Sequence, residues 1–187
     1  METRATIDQD PARDDELILV DGLDRVVGSA TKWQAHAERL LHRAFSVVLV
    51  REGDQGPELL LSQRALEKYH SGGLWANSCC SHPRIGEEVL DAAYRRVKEE
   101  LGCEARDLHE LDSFVYFEAF ANGLAEHEYD HVLVGRPAGD VSPDPSEVMA
   151  VRWVSVDDVA AELADHPERF SAWAPMVLSI VLREVAR

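Results

Sequence analysis

Two kinds of apolar spacing run along the chain. Ala44–Val50 (AFSVVLV) is an almost unbroken apolar run, the pattern of a central strand covered on both faces. Glu16–Asp21 (ELILVD) is a shorter strand candidate that stops at the Asp21-Gly22 turn signal. Glu58–Gln63 reads as the hairpin partner of the 44–50 run, across the turn-rich segment Glu52–Pro57. Ser113–Phe120, Tyr129–Val134 and Val151–Val154 predict further strands. Helical spacing is clearest over Glu87–Leu101, where Leu90, Tyr94, Val97 and Leu101 form one apolar stripe. Glu87 and Glu88 stand at its N-terminal end, where negative charge is favoured, and Gly102 follows as a C-cap. His36–Leu41 reads as a helical turn, and Val156–Ala164 and Pro175–Val185 as two closing helices. Tyr69–Pro83 holds Gly72-Gly73, two cysteines, a histidine and a proline, and reads as a long loop of the kind that carries function. Strands flanking a central helix, with two helices at the end, predict an α/β layered fold.

Composition adds the scale. The 187 residues, 45% of them hydrophobic, suffice for one domain with a core. The expected organisation is a mobile acidic tail over residues 1–16 followed by a single domain over 17–187. No apolar run approaches the ~18 residues of a membrane helix. The polar, acidic opening METRATIDQDPARDDE lacks the pattern of a secretory signal. Three cysteines are too few and too oddly spaced for a disulfide framework, and read as reduced thiols of a cytoplasmic protein. The net charge of −16, from 35 acids against 19 bases, disfavours nucleic acid and anionic membranes as partners. A small anionic substrate then requires a local basic patch or a metal ion.

Four features bear on chemistry. In Asn77-Ser78-Cys79-Cys80-Ser81-His82-Pro83 the adjacent cysteines point in different directions, so at most one faces a given pocket. Either thiol reads as a nucleophile or acid–base group, with a small buried residue as the plainer alternative. Glu126 and Glu128 share one face if their segment is a strand, and two partly buried carboxylates repel unless a metal or a shared proton lies between them. The plainer alternative is a solvated edge of an acidic protein. The eight histidines show no local zinc spacing, so any metal site must be assembled from distant segments. Arg96 and Glu100 are four apart on the helix, either as a surface ion pair or as a Mg²⁺-binding carboxylate beside an anion-binding arginine. Arg64 and Lys68, also four apart, suggest an anion cradle in a chain with only three lysines, or else an isolated surface pair.

Taken together, Leu41-His42-Arg43-Ala44-Phe45-Ser46, the 77–83 segment and Glu126-His127-Glu128-Tyr129-Asp130 resemble the type I isopentenyl-diphosphate isomerase family. Their order and spacing do so as well, over roughly residues 17–180. The central helix resembles a degenerate Nudix box: Glu87, seven residues, then Arg95-Arg96-Val97-Lys98-Glu99-Glu100-Leu101-Gly102. Ser81 stands where the box opens on Gly, and Arg96 where it has Glu. The latter speaks against ordinary nucleoside-diphosphate hydrolysis.

The resemblance implies a Nudix-like α/β/α sandwich with a mixed β-sheet. It implies conversion of isopentenyl diphosphate to dimethylallyl diphosphate by protonation and deprotonation through a tertiary carbocation, in isoprenoid precursor biosynthesis. By resemblance, His36, His42, His82, Glu126 and Glu128 bind one divalent metal (Mn²⁺, Zn²⁺ or Mg²⁺). Glu100 holds a Mg²⁺ that arrives with the diphosphate, and Arg64, Lys68 and Arg96 bind the diphosphate itself. Cys80 matches the catalytic cysteine, Glu128 the catalytic glutamate, Tyr116 the tyrosine that works with it, and Trp173 the aromatic residue over the isoprenoid. The implied partner is a small isoprenoid diphosphate, with no nucleic acid or membrane, bound by a monomer. The rival expectations are a Nudix hydrolase of a diphosphate substrate and a non-catalytic diphosphate-binding module.

Overall fold

A computed structural model describes residues 16–68 and 70–185. The expected tail, residues 1–16, lies outside the described residues except for Glu16, which opens the first strand. The elements are β1 (Glu16–Val20), β2 (Val26–Thr31), α1 (Lys32–Glu38), β3 (His42–Gly53) and β4 (Gly56–Arg64), then β5 (Trp75–Ala76), β6 (Cys79–Ser81) and α2 (Val89–Leu101). After them come β7 (Glu104–Ala119), β8 (Ala125–Ala138), β9 (Val148–Ser155), α3 (Val156–Asp165) and α4 (Ala174–Val185).

β3 is the spine. Over His42–Leu49 it pairs in parallel with β8, and over Phe45–Val47 it pairs antiparallel with β6. Its far end, Val50–Gly53, turns into the β4 hairpin, which β5 and β9 extend. β7 adds to the outer side of β8, and the β1–β2 hairpin joins β3 through Leu19 and His42. The sheet is therefore mixed, as expected.

Period-two alternation sorts the core into two layers. Phe45, Val47 and Leu49 of β3, with Leu133 of β8, face α2 and pack on Ala93, Val97 and Leu101. Val48 and Val50, with Val132 and Val134, face the other way, onto Val159 of α3 and Val177, Leu178 and Val181 of α4. Helices thus cover both faces, which gives the α/β/α sandwich.

Several local expectations need correction. The 69–83 segment is not one long loop, because it contributes β5 and β6 to the sheet. The helical turn expected at His36–Leu41 lies earlier, over Lys32–Glu38, capped by Thr31, whose hydroxyl accepts from the Gln34 amide at 3.2 Å. The stripe Leu90–Tyr94–Val97–Leu101 is only half buried: Leu90 and Tyr94 are exposed, and Ala92 and Ala93 take their place on the core face. Two alanines let the helix axis approach the sheet more closely than larger side chains would. The helix starts at Val89 and not at Glu87, because Glu88 is extended (φ −73°, ψ 147°) and serves as the N-cap, while Glu87 pairs with Arg95 at 2.8 Å. β7 and β8 are far longer than the segments expected, and β2 has no counterpart in the expectation.

Candidate active site

The alternation that orders the core also aims the chemistry. On β8 the residues in phase with Val132 and Val134 are Glu126, Glu128 and Asp130. All three are buried on the α4 face. Sheet register then brings partners to Glu128: Tyr116 lies opposite it on β7, and His42 lies beside it on β3. Likewise Ser46 on β3 lies opposite Cys80 on β6. The two cysteines part as expected. Cys79 packs into the α2 layer and Cys80 against the α4 layer.

A cluster of imidazoles and carboxylates forms where α1, β3, β8 and the segment just after β6 meet. Donor atoms of His36, His42, His82 and Glu126 all lie within 4.8 Å of one another. Glu128 adjoins this group, its Oε1 at 2.9 Å from His82 Nε2 and 3.6 Å from His42 Nε2. His36 Nδ1 and His42 Nδ1 each lie against a backbone carbonyl, Lys32 O at 2.6 Å and Leu40 O at 2.8 Å. A carbonyl only accepts, so in the neutral rings Nδ1 carries the hydrogen and the Nε2 lone pair points into the cluster. His42 Nε2 is buried and has no hydrogen-bond partner among the described residues.

The electrostatics demand positive charge there. Burial disfavours ionised Glu126 and Glu128, yet His36 and His70 around the first and His42 and His82 around the second hold both below the usual carboxylate range. Burial also disfavours charge on His42, but Glu128 and Glu126 outweigh it and lift its pKa. Burial pulls His82 down to about 4, leaving it neutral and ready to ligate. Three imidazoles and ionised carboxylates in a dry space suit a divalent cation such as zinc or manganese. The residue set therefore fits a metal.

Beside this cluster sits the thiol. Burial pushes Cys80 up to about 12, so it is a neutral S–H. It donates to Asn77 Oδ1 at 3.0 Å, and the Trp173 indole N–H approaches its sulfur at 3.0 Å. Asn77 itself is locked, because its amide donates to Val47 O at 3.1 Å and Cys79 O at 3.0 Å. Ser46 Oγ lies 3.5 Å from the sulfur and donates to Asp130 Oδ2 at 2.8 Å. Burial, with Glu128 next, pushes the Asp130 carboxyl well up. Tyr116, whose hydroxyl is pushed up by burial, donates to Glu128 Oε2 at 2.5 Å.

Cys80, Asn77, Trp173, Tyr116, His82, Glu126 and Glu128 border one cavity of about 780 Å³ that reaches to the basic residues. Arg64 ends β4 and Lys68 stands in the turn after it, so the pair is not helical. Both still line the cavity with Arg96 and Glu100. Arg64 stacks over Trp173 at 5.1 Å. Arg96 donates to Glu99 at 2.8 Å and pairs with Glu100, while Lys68 pairs with Glu147. Every residue singled out in the sequence thus adjoins one site. Ser46, His70, Asn77, Asp130 and Glu147 also belong to it and were given no role beforehand. Asp130 was within reach, since it continues the Glu126–Glu128 parity. His70 and Glu147 carry no local signal, because only the tertiary fold brings them in.

A fold of this kind with a box-bearing helix under a mixed sheet defines the Nudix class, and residues 40–174 match the NUDIX domain, so the chain belongs to that family. Among solved structures it resembles a Deinococcus radiodurans protein (TM-score 0.69, 21% identity, 92% of this chain and 100% of that one). It also resembles the MutT NUDIX hydrolase of Burkholderia pseudomallei (TM-score 0.60, 23% identity, 75% and 98%). These likenesses concern the fold. Sequence narrows the class. The chain is 47% identical over 175 residues to the isopentenyl-diphosphate Delta-isomerase of Photobacterium profundum, covering 92% of this chain and 97% of that one. It is 49% identical over 160 residues to the enzyme of the same name from Burkholderia multivorans, covering 86% and 89%. Within the Nudix family the chain belongs to the isopentenyl-diphosphate Delta-isomerases.

Proposed function

We propose that the chain converts isopentenyl diphosphate to dimethylallyl diphosphate, with Cys80 as the acid and Glu128 as the base. The observation that carries this reading is the pairing of a buried neutral thiol with a buried ionised carboxylate on one cavity. Moving the double bond requires a proton added to the terminal alkene carbon and another removed from the carbon on the far side of the resulting tertiary cation. Cys80 supplies the first and Glu128 takes the second, with Tyr116 holding the carboxylate by its hydroxyl and relaying the proton onward. The indole of Trp173 shields the cation from water and stabilises it through its π face.

His36, His42, His82, Glu126 and Glu128 would hold a divalent metal (Mn²⁺, Zn²⁺ or Mg²⁺), whose charge would keep Glu128 ionised and fixed. Arg64, Lys68 and Arg96 would grip the diphosphate, and Glu100 a Mg²⁺ that accompanies it. The diphosphate anchors the short hydrocarbon and takes no part in the bond changes. The reading further includes a single domain acting as a monomer in the cytoplasm. Arg96 occupies the position of a Nudix-box carboxylate and pairs with Glu100, which removes a metal ligand that diphosphate hydrolysis would use. A proton NMR time course of isopentenyl diphosphate in D₂O with Mg²⁺ tests the proposal. Dimethylallyl signals that carry deuterium are expected. Release of inorganic phosphate, or no change with Mn²⁺ or Zn²⁺ and a thiol reductant added, would overturn it.

A further inference from the structure

We infer that His70 is a positioning residue for the metal centre, acting on Glu126 from outside the ring of ligands. The inference rests on the His/Glu cluster being a metal site. His70 Nε2 lies 2.5 Å from Glu126 Oε1. Yet His70 is not among the residues whose donor atoms gather within 4.8 Å of one another. A carboxylate oxygen only accepts, so Nε2 carries the hydrogen in this contact, and with its donor atoms outside the gathered set the ring is placed to hold Glu126 by that N–H. Its role is therefore to hold Glu126 and not to ligate.

The ring is built into place. Phe120 stacks on it at 4.5 Å and 11°, and Trp173 meets it edge-on at 5.7 Å. Ser71 Oγ lies 3.2 Å from Nδ1. The turn that delivers it depends on glycine: a Cβ at Gly72 would come within 2.5 Å of the Leu66 carbonyl, and Gly73 has φ +78°. His70 thus joins two parts of the site that the sequence keeps apart, the carboxylate of the metal centre and the indole that covers the cavity. Groups that hydrogen-bond a ligating side chain fix its orientation, and losing one typically costs about 10- to 100-fold in metal affinity.

Two substitutions separate the hydrogen bond from the packing. His70→Phe keeps a flat ring between Phe120 and Trp173 and removes the donor. His70→Gln loses the ring and keeps an N–H near the Nε2 position. Zn²⁺ affinity of the chelator-stripped full chain, measured by competition with a chromogenic chelator and without substrate, is the primary readout. About 10- to 100-fold weaker binding is expected for His70→Phe, with His70→Gln retaining most of the affinity. Excess metal should restore turnover of His70→Phe, which a purely structural defect would not allow. Unchanged Zn²⁺ affinity in His70→Phe, or an equal loss in both variants, would overturn the role of His70. If the unaltered protein binds no Zn²⁺, or binds it as well after His36→Ala, the metal centre fails and the inference with it. Since this assay uses no substrate, the isomerase reading stands or falls separately.

Discussion

Replacing Tyr116 by Phe removes one oxygen from the site and leaves the ring, with its neighbours Phe114 at 5.8 Å and Trp173 at 6.4 Å, in place. That oxygen donates to Glu128 Oε2 at 2.5 Å, and both groups are buried. A hydrogen bond to a charged group is worth about 1.5–3 kcal/mol net. At 1.36 kcal/mol per factor of ten, the loss corresponds to about 10- to 150-fold. It should fall on kcat, because in the proposed mechanism Glu128 meets the reacting carbons while the diphosphate would be gripped elsewhere, by Arg64, Lys68 and Arg96. The carboxylate keeps His82 and His42 beside it, so the variant should fold normally. Initial rates over a range of isopentenyl diphosphate concentrations, with Mg²⁺ in excess, separate the two constants. A kcat within about threefold of the unaltered enzyme, or a loss carried entirely by KM, would refute the placement of Tyr116 on the base.

Other outcomes follow from the same geometry. Cys80→Ala should abolish turnover and Cys79→Ala should retain most of it, since the two face opposite layers, and equal loss in a rate assay would refute the thiol assignment. Zn²⁺ affinity should rise about tenfold per pH unit below the raised pKa of His42, where the metal must displace its proton, and flatten above it; His82, at about 4, adds a second proton only in stronger acid. A competition titration that is flat from about pH 5 to 8 would contradict the ligand role of His42. Leu178→Ala, fully buried between α4 and the sheet, should cost about 2–5 kcal/mol and lower Tm by about 5–15 °C in a thermal scan.

The parts of the fold that were legible in the sequence are those where one periodicity dominates. Ala44–Val50 announced a strand buried on both faces because both faces are in fact covered by helices. The α2 face misled because alanines contribute little to an apolar stripe, while exposed Leu90 and Tyr94 contribute much. β2 was silent because Val26–Ser29 are all exposed, so no alternation marks it. In the site, Glu126 and Glu128 were readable through parity on one strand, and the cysteines through their adjacency. The His/Glu cluster could be named only by resemblance, since its members come from α1, β3, β8 and the loop after β6, and no local spacing joins them. His70 stayed hidden for the same reason.

The parallel pairing of β3 with β8 also governs how the enzyme comes into being. His42 meets Glu128 only once the hairpin, the cysteine segment, α2 and β7 have all been laid down between them. Ninety residues separate His36 from Glu126, and ninety-six separate Asn77 from Trp173. Contacts of such long range close late and slowly on a folding chain. The residues proposed as acid and base, and the two halves of the His/Glu cluster, come together only when β8 pairs with β3. Activity is therefore a reporter of completed folding: on refolding from denaturant, turnover should return with the slowest structural phase, and no fragment that ends before β8 can carry any.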